Sequence, residues 1–147
     1  MKKNQGFSLI ELLIVVAIIL IIAAIAIPNL VKARLAANEG SATASMRTLG
    51  SAQMLYKSSQ GVFCGSIAGL SADGLIDNVL GTGAKSGYNF GTAQGTSPAL
   101  QFTATAAPAV STGVTATGKR TFFTDETQVI RYSLIAQATD TDSAIGQ

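Results

Sequence analysis

Sixteen apolar residues run without interruption from Leu12 to Ile27, with Leu9 and Ile10 just ahead of them and one carboxylate, Glu11, at the head of the run. Phe7 to Ile27 is 21 residues. At about 1.5 Å of rise per residue, a helix of that length crosses a hydrocarbon layer of about 30 Å. Pro28 follows. It has no N–H to donate and disfavours helical geometry at Ile27, which predicts a kink rather than a stop. Beyond it, helix formers continue, and Leu35, Ala42, Met46, Leu49 and Tyr56 recur at spacings of three, four or seven, an apolar stripe on one face. Gly40 and Gly50 each weaken such a helix by about 1 kcal/mol relative to Ala, so some bending is expected there. The pattern predicts one helix over residues 7–60, ended by Gly61 as its C-cap.

The periodicity then changes. Residues 61–85 are broken by six glycines and read as a long connection, with one short helical turn over Gly74 to Leu80. Ser86–Thr92 carries Tyr88 and Phe90 at period two. Ala99–Ala106 alternates, with Leu100, Phe102 and Ala104 on one face and Gln101, Thr103 and Thr105 on the other. Thr121–Thr124 and Gln128–Leu134 flank Asp125-Glu126-Thr127 and predict a hairpin. Thr105–Gly118 reads as a flexible connection and Thr139–Gln147 as a loose tail. The expected fold class is α+β: a long N-terminal helix, hydrophobic in its first half, packed on a small four-stranded antiparallel sheet.

Charge and composition narrow the chemistry. Lys2 and Lys3 supply the whole formal net charge of +2, and residues 7–147 hold eight basic and eight acidic side chains. A neutral body gives no reason to expect a nucleic-acid surface. With no His and a single Cys, Cys64, the usual zinc sites and the Cys–His and Ser–His catalytic pairs cannot be built, and no internal disulfide exists. The expectation is a protein that is not an enzyme, with no cofactor and no metal. Asp125-Glu126 and Asp140/Asp142 have oxygen ligands at calcium-like spacing, but solvated turn carboxylates explain them better. Cys64 beside Phe63 reads as a small buried hydrophobe, and Lys119-Arg120 as a pair that blunts a strand edge.

Three readings compete for the first thirty residues. One is a plain membrane anchor. Another is a secretory signal with Lys2 and Lys3 at its charged end and Ala24-Ile25-Ala26 as a small-x-small cleavage site, which would release a soluble exported binding protein. Both leave Glu11 unexplained, because a carboxylate near a bilayer is costly and marks a function or a pairing.

The third reading rests on MKKNQG followed by FSLIEL and by an unbroken apolar helix reaching Pro28. This stretch resembles the N-terminal signature of the type IV pilin family, shared with the pseudopilins of type II secretion. The resemblance implies a leader over 1–6, a core helix over 7–28, an amphipathic half over 29–60, an αβ-loop over 61–85, and a β region with C-terminal tail over 86–147. It also implies cleavage between Gly6 and Phe7 by a prepilin peptidase that then methylates the new Phe7 amine. Glu11, fifth counting from Phe7, would pair with that amine on a neighbouring subunit, the absent partner of the buried charge. Further implied partners are further copies of the chain in a helical filament, an assembly ATPase, a platform protein, and the inner membrane before extrusion to the cell surface. A pilus subunit and a pseudopilin both fit. Two departures from the family stand out: Leu20 occupies the position where members often have a Gly, and the C-terminal cysteine pair of many pilins is absent. Unwinding on assembly is therefore expected only just before Pro28 or not at all.

Overall fold

A computed structural model describes residues 6–134 and 136–146; residues 1–5, which hold most of the expected leader, together with Ile135 and Gln147, lie outside the described residues. The chain divides into two compact units, Met1–Ala33 and Arg34–Gln147. The first contains the start of helix α1 (Leu9–Gln60), which has Pro28 inside it. At the far end Gly61 takes φ +76° and its N–H closes on the Lys57 carbonyl at 2.8 Å. That is the left-handed cap the sequence predicts, at a position where a Cβ would be strained.

In the second unit α1 contributes Ala42, Met46, Leu49 and Ala52 to one hydrophobic core, with Leu35 and Tyr56 half-buried. Among the described residues the sheet has five strands rather than four: β1 (Ala84–Lys85), β2 (Tyr88–Gln94), β3 (Phe102–Pro108), β4 (Thr121–Asp125) and β5 (Arg131–Ser133). They form an antiparallel meander in chain order. The additional strand follows from Ser86-Gly87. Both residues take positive φ, 51° and 74°, and this two-residue loop folds Ala84–Lys85 back on Tyr88–Asn89. Tyr88, Phe90, Phe102, Ala104, Ala106 and Phe122 fill the buried face, with the Tyr88 and Phe122 rings 5.8 Å apart. Ala106 pairs with both Phe90 and Phe122, so a small side chain separates two large ones across the face.

Several expectations are corrected. The connection after α1 holds two short helices, α2 (Ile67–Ala72) and α3 (Asn78–Gly81), each N-capped by a side chain: Ser66 accepts from the Gly69 N–H and Asp77 from the Leu80 N–H. Ile67, Leu70, Ile76 and Leu80 are buried, so tertiary contact orders a stretch whose glycines read as loop. Strand β3 begins at Phe102, and Leu100 is exposed, because the Leu100 and Gln101 N–H groups both turn back onto the Ser97 carbonyl at 2.8 Å. The β4–β5 connection is wider than Asp125-Glu126-Thr127, with Gln128 at φ +62° and β5 starting only at Arg131.

Gly50 is a docking point: the Gln128 amide sits where a Cβ would stand and donates to the Gly50 carbonyl at 3.4 Å. The expected loose tail is pinned. Ala144 bridges to Arg131, the Tyr132 N–H reaches the Ser143 carbonyl at 3.0 Å, and the Ile145 N–H reaches the Ile130 carbonyl at 2.9 Å. Lys119-Arg120 does not blunt an edge. Arg120 pairs with Glu39 at 3.1 Å and lies over the Tyr132 ring, while the Lys119 N–H donates to the same carboxylate at 2.9 Å.

Candidate functional site

The first unit presents its apolar side chains outward. Every large hydrophobic residue from Leu9 to Ile27 keeps between 44% and 76% of its surface exposed. There are fourteen of them, and fully burying one such side chain is worth about 1.5–3 kcal/mol. With a little over half of that surface exposed, the unburied part is worth on the order of 10–25 kcal/mol, comparable to or larger than the roughly 5–15 kcal/mol by which a whole domain is stable. A helix of this kind needs an apolar surrounding, either hydrocarbon or the apolar side chains of other helices.

Its polar head is built from Ser8 and Glu11. The Leu12 N–H opens the helix by bonding the Ser8 carbonyl at 3.2 Å, and Glu11 Oε2 accepts the Ser8 N–H at 2.8 Å. This is half of a capping box, the Glu three residues after the cap reaching back to the cap's own N–H. It satisfies a backbone donor that has no helical partner, and it sets negative charge at the positive end of the helix dipole. Glu11 therefore has a role within its own chain, in addition to the intermolecular one its sequence context implies. The signal was available, since Ser-x-x-Glu directly before an apolar run is a helix-start pattern. Gly6 and Phe7 lie in exposed, non-helical chain beside this cap, with Phe7 83% exposed. Gly6, Phe7, Ser8 and Glu11 thus gather at one helix end, and Pro28 lies nineteen residues into the helix.

The remaining polar constellations have local explanations. Asp125 Oδ1 accepts the N–H and hydroxyl of Thr127 at 2.9 and 2.5 Å, and Asp142 Oδ2 accepts those of Thr139 at 2.8 and 2.9 Å. These are turn carboxylates, and among the described residues no group of three or more His, Cys, Asp or Glu side chains gathers to hold a metal ion. Cys64 is buried, with its thiol on the Ser66 carbonyl at 3.2 Å. Gln53, which the apolar pattern passed over, is fully buried and hydrogen-bonds the Cys64 backbone N–H and carbonyl and the Thr92 hydroxyl. No apolar periodicity marks such a residue; only the course of the chain after α1 gives it partners.

Residues 1–27 match the Prokaryotic N-terminal methylation motif. Over 75 residues, 51% of this chain, the sequence is 43% identical to the Type IV wide pilus major component PilA4 of Thermus thermophilus, covering 57% of that protein. Over 54 residues, 37% of this chain, it is 48% identical to the Type IV major pilin protein PilA of Myxococcus xanthus, covering 24% of that protein. The chain thus spans little more than half the length of the first relative and about a quarter of the second.

Proposed function

We infer that the chain, whose N-terminal motif and α+β fold are those of the type IV pilin family, is a major structural subunit of a pilus and not an enzyme. The observation that carries this reading is a helix with fourteen exposed large apolar residues and one carboxylate at its head, lying within the matched methylation motif. Cleavage falls between Gly6 and Phe7, where the chain is exposed and non-helical as a peptidase requires. The new Phe7 amine is methylated and keeps its positive charge.

The stored subunit rests with Phe7–Ile27 in the inner membrane, where Glu11 caps its own helix through Ser8. On polymerisation the apolar surfaces bury one another, and the Glu11 carboxylate meets the Phe7 amine of a neighbouring copy. A carboxylate between packed apolar helices is tolerable only with a cation beside it. Pro28 relieves the helix at the end of the apolar block. A prepilin peptidase/methyltransferase, an assembly ATPase and a platform protein are the partners this route requires. The printed names of both relatives favour a pilus over a secretion pseudopilus.

Intact mass and N-terminal sequencing of the chain from membranes and from sheared surface fibres tests the reading. A chain starting at Phe7 and one methyl group heavier than encoded is expected. A start at Ile27 would identify an ordinary signal peptide, and a start at Met1 in every fraction would leave a plain anchor. Glu11→Gln, which keeps the size and the capping acceptor but removes the charge, is expected to leave processing intact and to reduce fibre yield strongly.

A further inference from the structure

Beyond Pro28 the chain leaves its apolar block with two cations and no carboxylate. Lys32 and Arg34 are both exposed, and among the described residues neither has a carboxylate partner. Between Glu11 and Glu39 the sequence holds no acidic residue. Glu39 itself is committed: one oxygen accepts the Lys119 N–H at 2.9 Å, and the other pairs with the Arg120 guanidinium at 3.1 Å. Among the described residues, nothing on this stretch of α1 meets the charge of the two cations.

The apolar block sets their position. Phe7–Ile27, 21 residues, spans about 31 Å as a helix, and a hydrocarbon core is about 30 Å thick with a headgroup layer of roughly 5–8 Å on each side. With the block across that core, Lys32 lies five residues beyond Ile27 and Arg34 seven, about 7.5 and 10.5 Å further along α1. Helical side chains lean toward the helix N-terminus. Here that is back toward the hydrocarbon, so both cationic groups reach the headgroup layer. No aromatic residue stands between Phe7 and Tyr56. The Trp and Tyr that commonly hold a membrane interface are therefore missing at this end, leaving Lys32 and Arg34 as its anchors.

We propose that Lys32 and Arg34 bind the phosphates of anionic phospholipids, in the headgroup layer at the far end of the apolar block, while the chain is stored in the membrane. The spacing favours lipid over a single soluble anion. Residues two apart on a helix are rotated by about 200°, so they point to nearly opposite sides and cannot close on one phosphate. A layer of headgroups surrounds the helix and offers each cation its own phosphate, Lys32 acting as a point charge and Arg34 as a two-pronged donor. The contact fixes the depth of the stored chain, because sliding along the bilayer normal in either direction takes both cations out of that layer. The inference rests on the reading of Phe7–Ile27 as a membrane-stored segment, and it supplies the partner of the residues that follow.

The test uses the full chain carrying Leu30→Trp, a position 70% exposed and two residues before Lys32. It is reconstituted in vesicles of phosphatidylcholine and phosphatidylglycerol, with one of the two lipids brominated near its headgroup. The ratio of tryptophan quenching by the two reads which lipid sits beside the helix. A preference for phosphatidylglycerol of about fivefold is expected, falling toward unity in concentrated salt. Lys32→Gln with Arg34→Gln should abolish the preference, and the exchange Lys32→Arg with Arg34→Lys should keep it. Arg47→Gln, equally exposed on α1, should leave it unchanged. Equal quenching by both lipids in the Trp-bearing chain, or a preference that survives the double Gln variant, would overturn the contact. Loss of the preference in inorganic phosphate, beyond its loss in chloride at equal ionic strength, would assign the cations to free phosphate and overturn the lipid as partner. No quenching by either lipid would mean that the segment does not enter the bilayer, and the stored-subunit reading would fall with this inference. The other failures leave that reading standing.

Discussion

Replacing Gln53 with Ala should remove much of the stability of the second unit. The side chain is fully buried on α1. Its Oε1 accepts the Cys64 N–H at 2.8 Å, and its Nε2 donates to the Cys64 carbonyl and the Thr92 hydroxyl, each at 2.9 Å. The Thr92 hydroxyl donates onward to the Thr103 carbonyl at 2.9 Å, so one amide ties the helix to the following loop and to two strands. Truncation leaves the N–H and carbonyl of Cys64 unpaired in the interior, at about 1–3 kcal/mol each, and opens a cavity of amide size. The sum is about 3–6 kcal/mol, against a domain stability of roughly 5–15 kcal/mol. At roughly 3–6 °C per kcal/mol for a unit of this size, the Tm should fall by 10 °C or more. Calorimetry of the full chain in detergent micelles measures it, with the exposed Ser51→Ala on the same helix as the control expected to stay within about 0.5 kcal/mol. Amide exchange at Cys64 should accelerate in the Ala variant. A Tm drop under about 3 °C would mean that the Cys64 backbone finds other partners, and the argument that this amide fixes the loop would be refuted.

Gly118→Ala should destabilise the second unit by about 1–3 kcal/mol in thermal unfolding, because its Cβ would fall on the buried Tyr88 ring, which is held by the bond from its hydroxyl to the Arg120 carbonyl at 2.9 Å. Burial, and secondarily the Glu39 carboxylate, push the Tyr88 hydroxyl well above the usual tyrosine range. The folded value lies above the unfolded one, so this contribution to stability is present below about pH 10 and lost as pH rises further. One tyrosinate absorbance should therefore appear only as the sheet unfolds in base, and Tyr88→Phe should abolish that late phase. The Leu80 N–H, and next the Lys85 ammonium, hold Asp77 below the ordinary carboxylate value. Its contribution is present above about pH 3.9 and lost as pH falls through the lower folded value. Asp77→Asn should flatten the acid limb of a stability–pH curve, and an unchanged limb would contradict the assignment.

What the sequence by itself determined was whatever depends on local periodicity or on a contiguous motif. The unbroken Leu12–Ile27 run needs an apolar surrounding whatever else the chain does. Gly61 ends a helix by its own φ preference, and Tyr88/Phe90 and Phe102/Ala104 alternate because strand side chains do. MKKNQG-FSLIEL carried the candidate site because its residues are neighbours in the chain. The tertiary structure decided what depends on partners distant in sequence. Gln53 looks like a polar break in the apolar stripe until the loop returns eleven residues later to use both ends of its amide. Gly50 looks like a weak point until Gln128, 78 residues on, occupies its missing Cβ. The tail lacks any strand signal, yet its backbone pairs with β5 because that edge offers free N–H and carbonyl groups, which need partners whatever side chains stand beside them. Side-chain pattern reports which face of an element turns inward; only the folded chain determines which backbone groups and which buried amides meet.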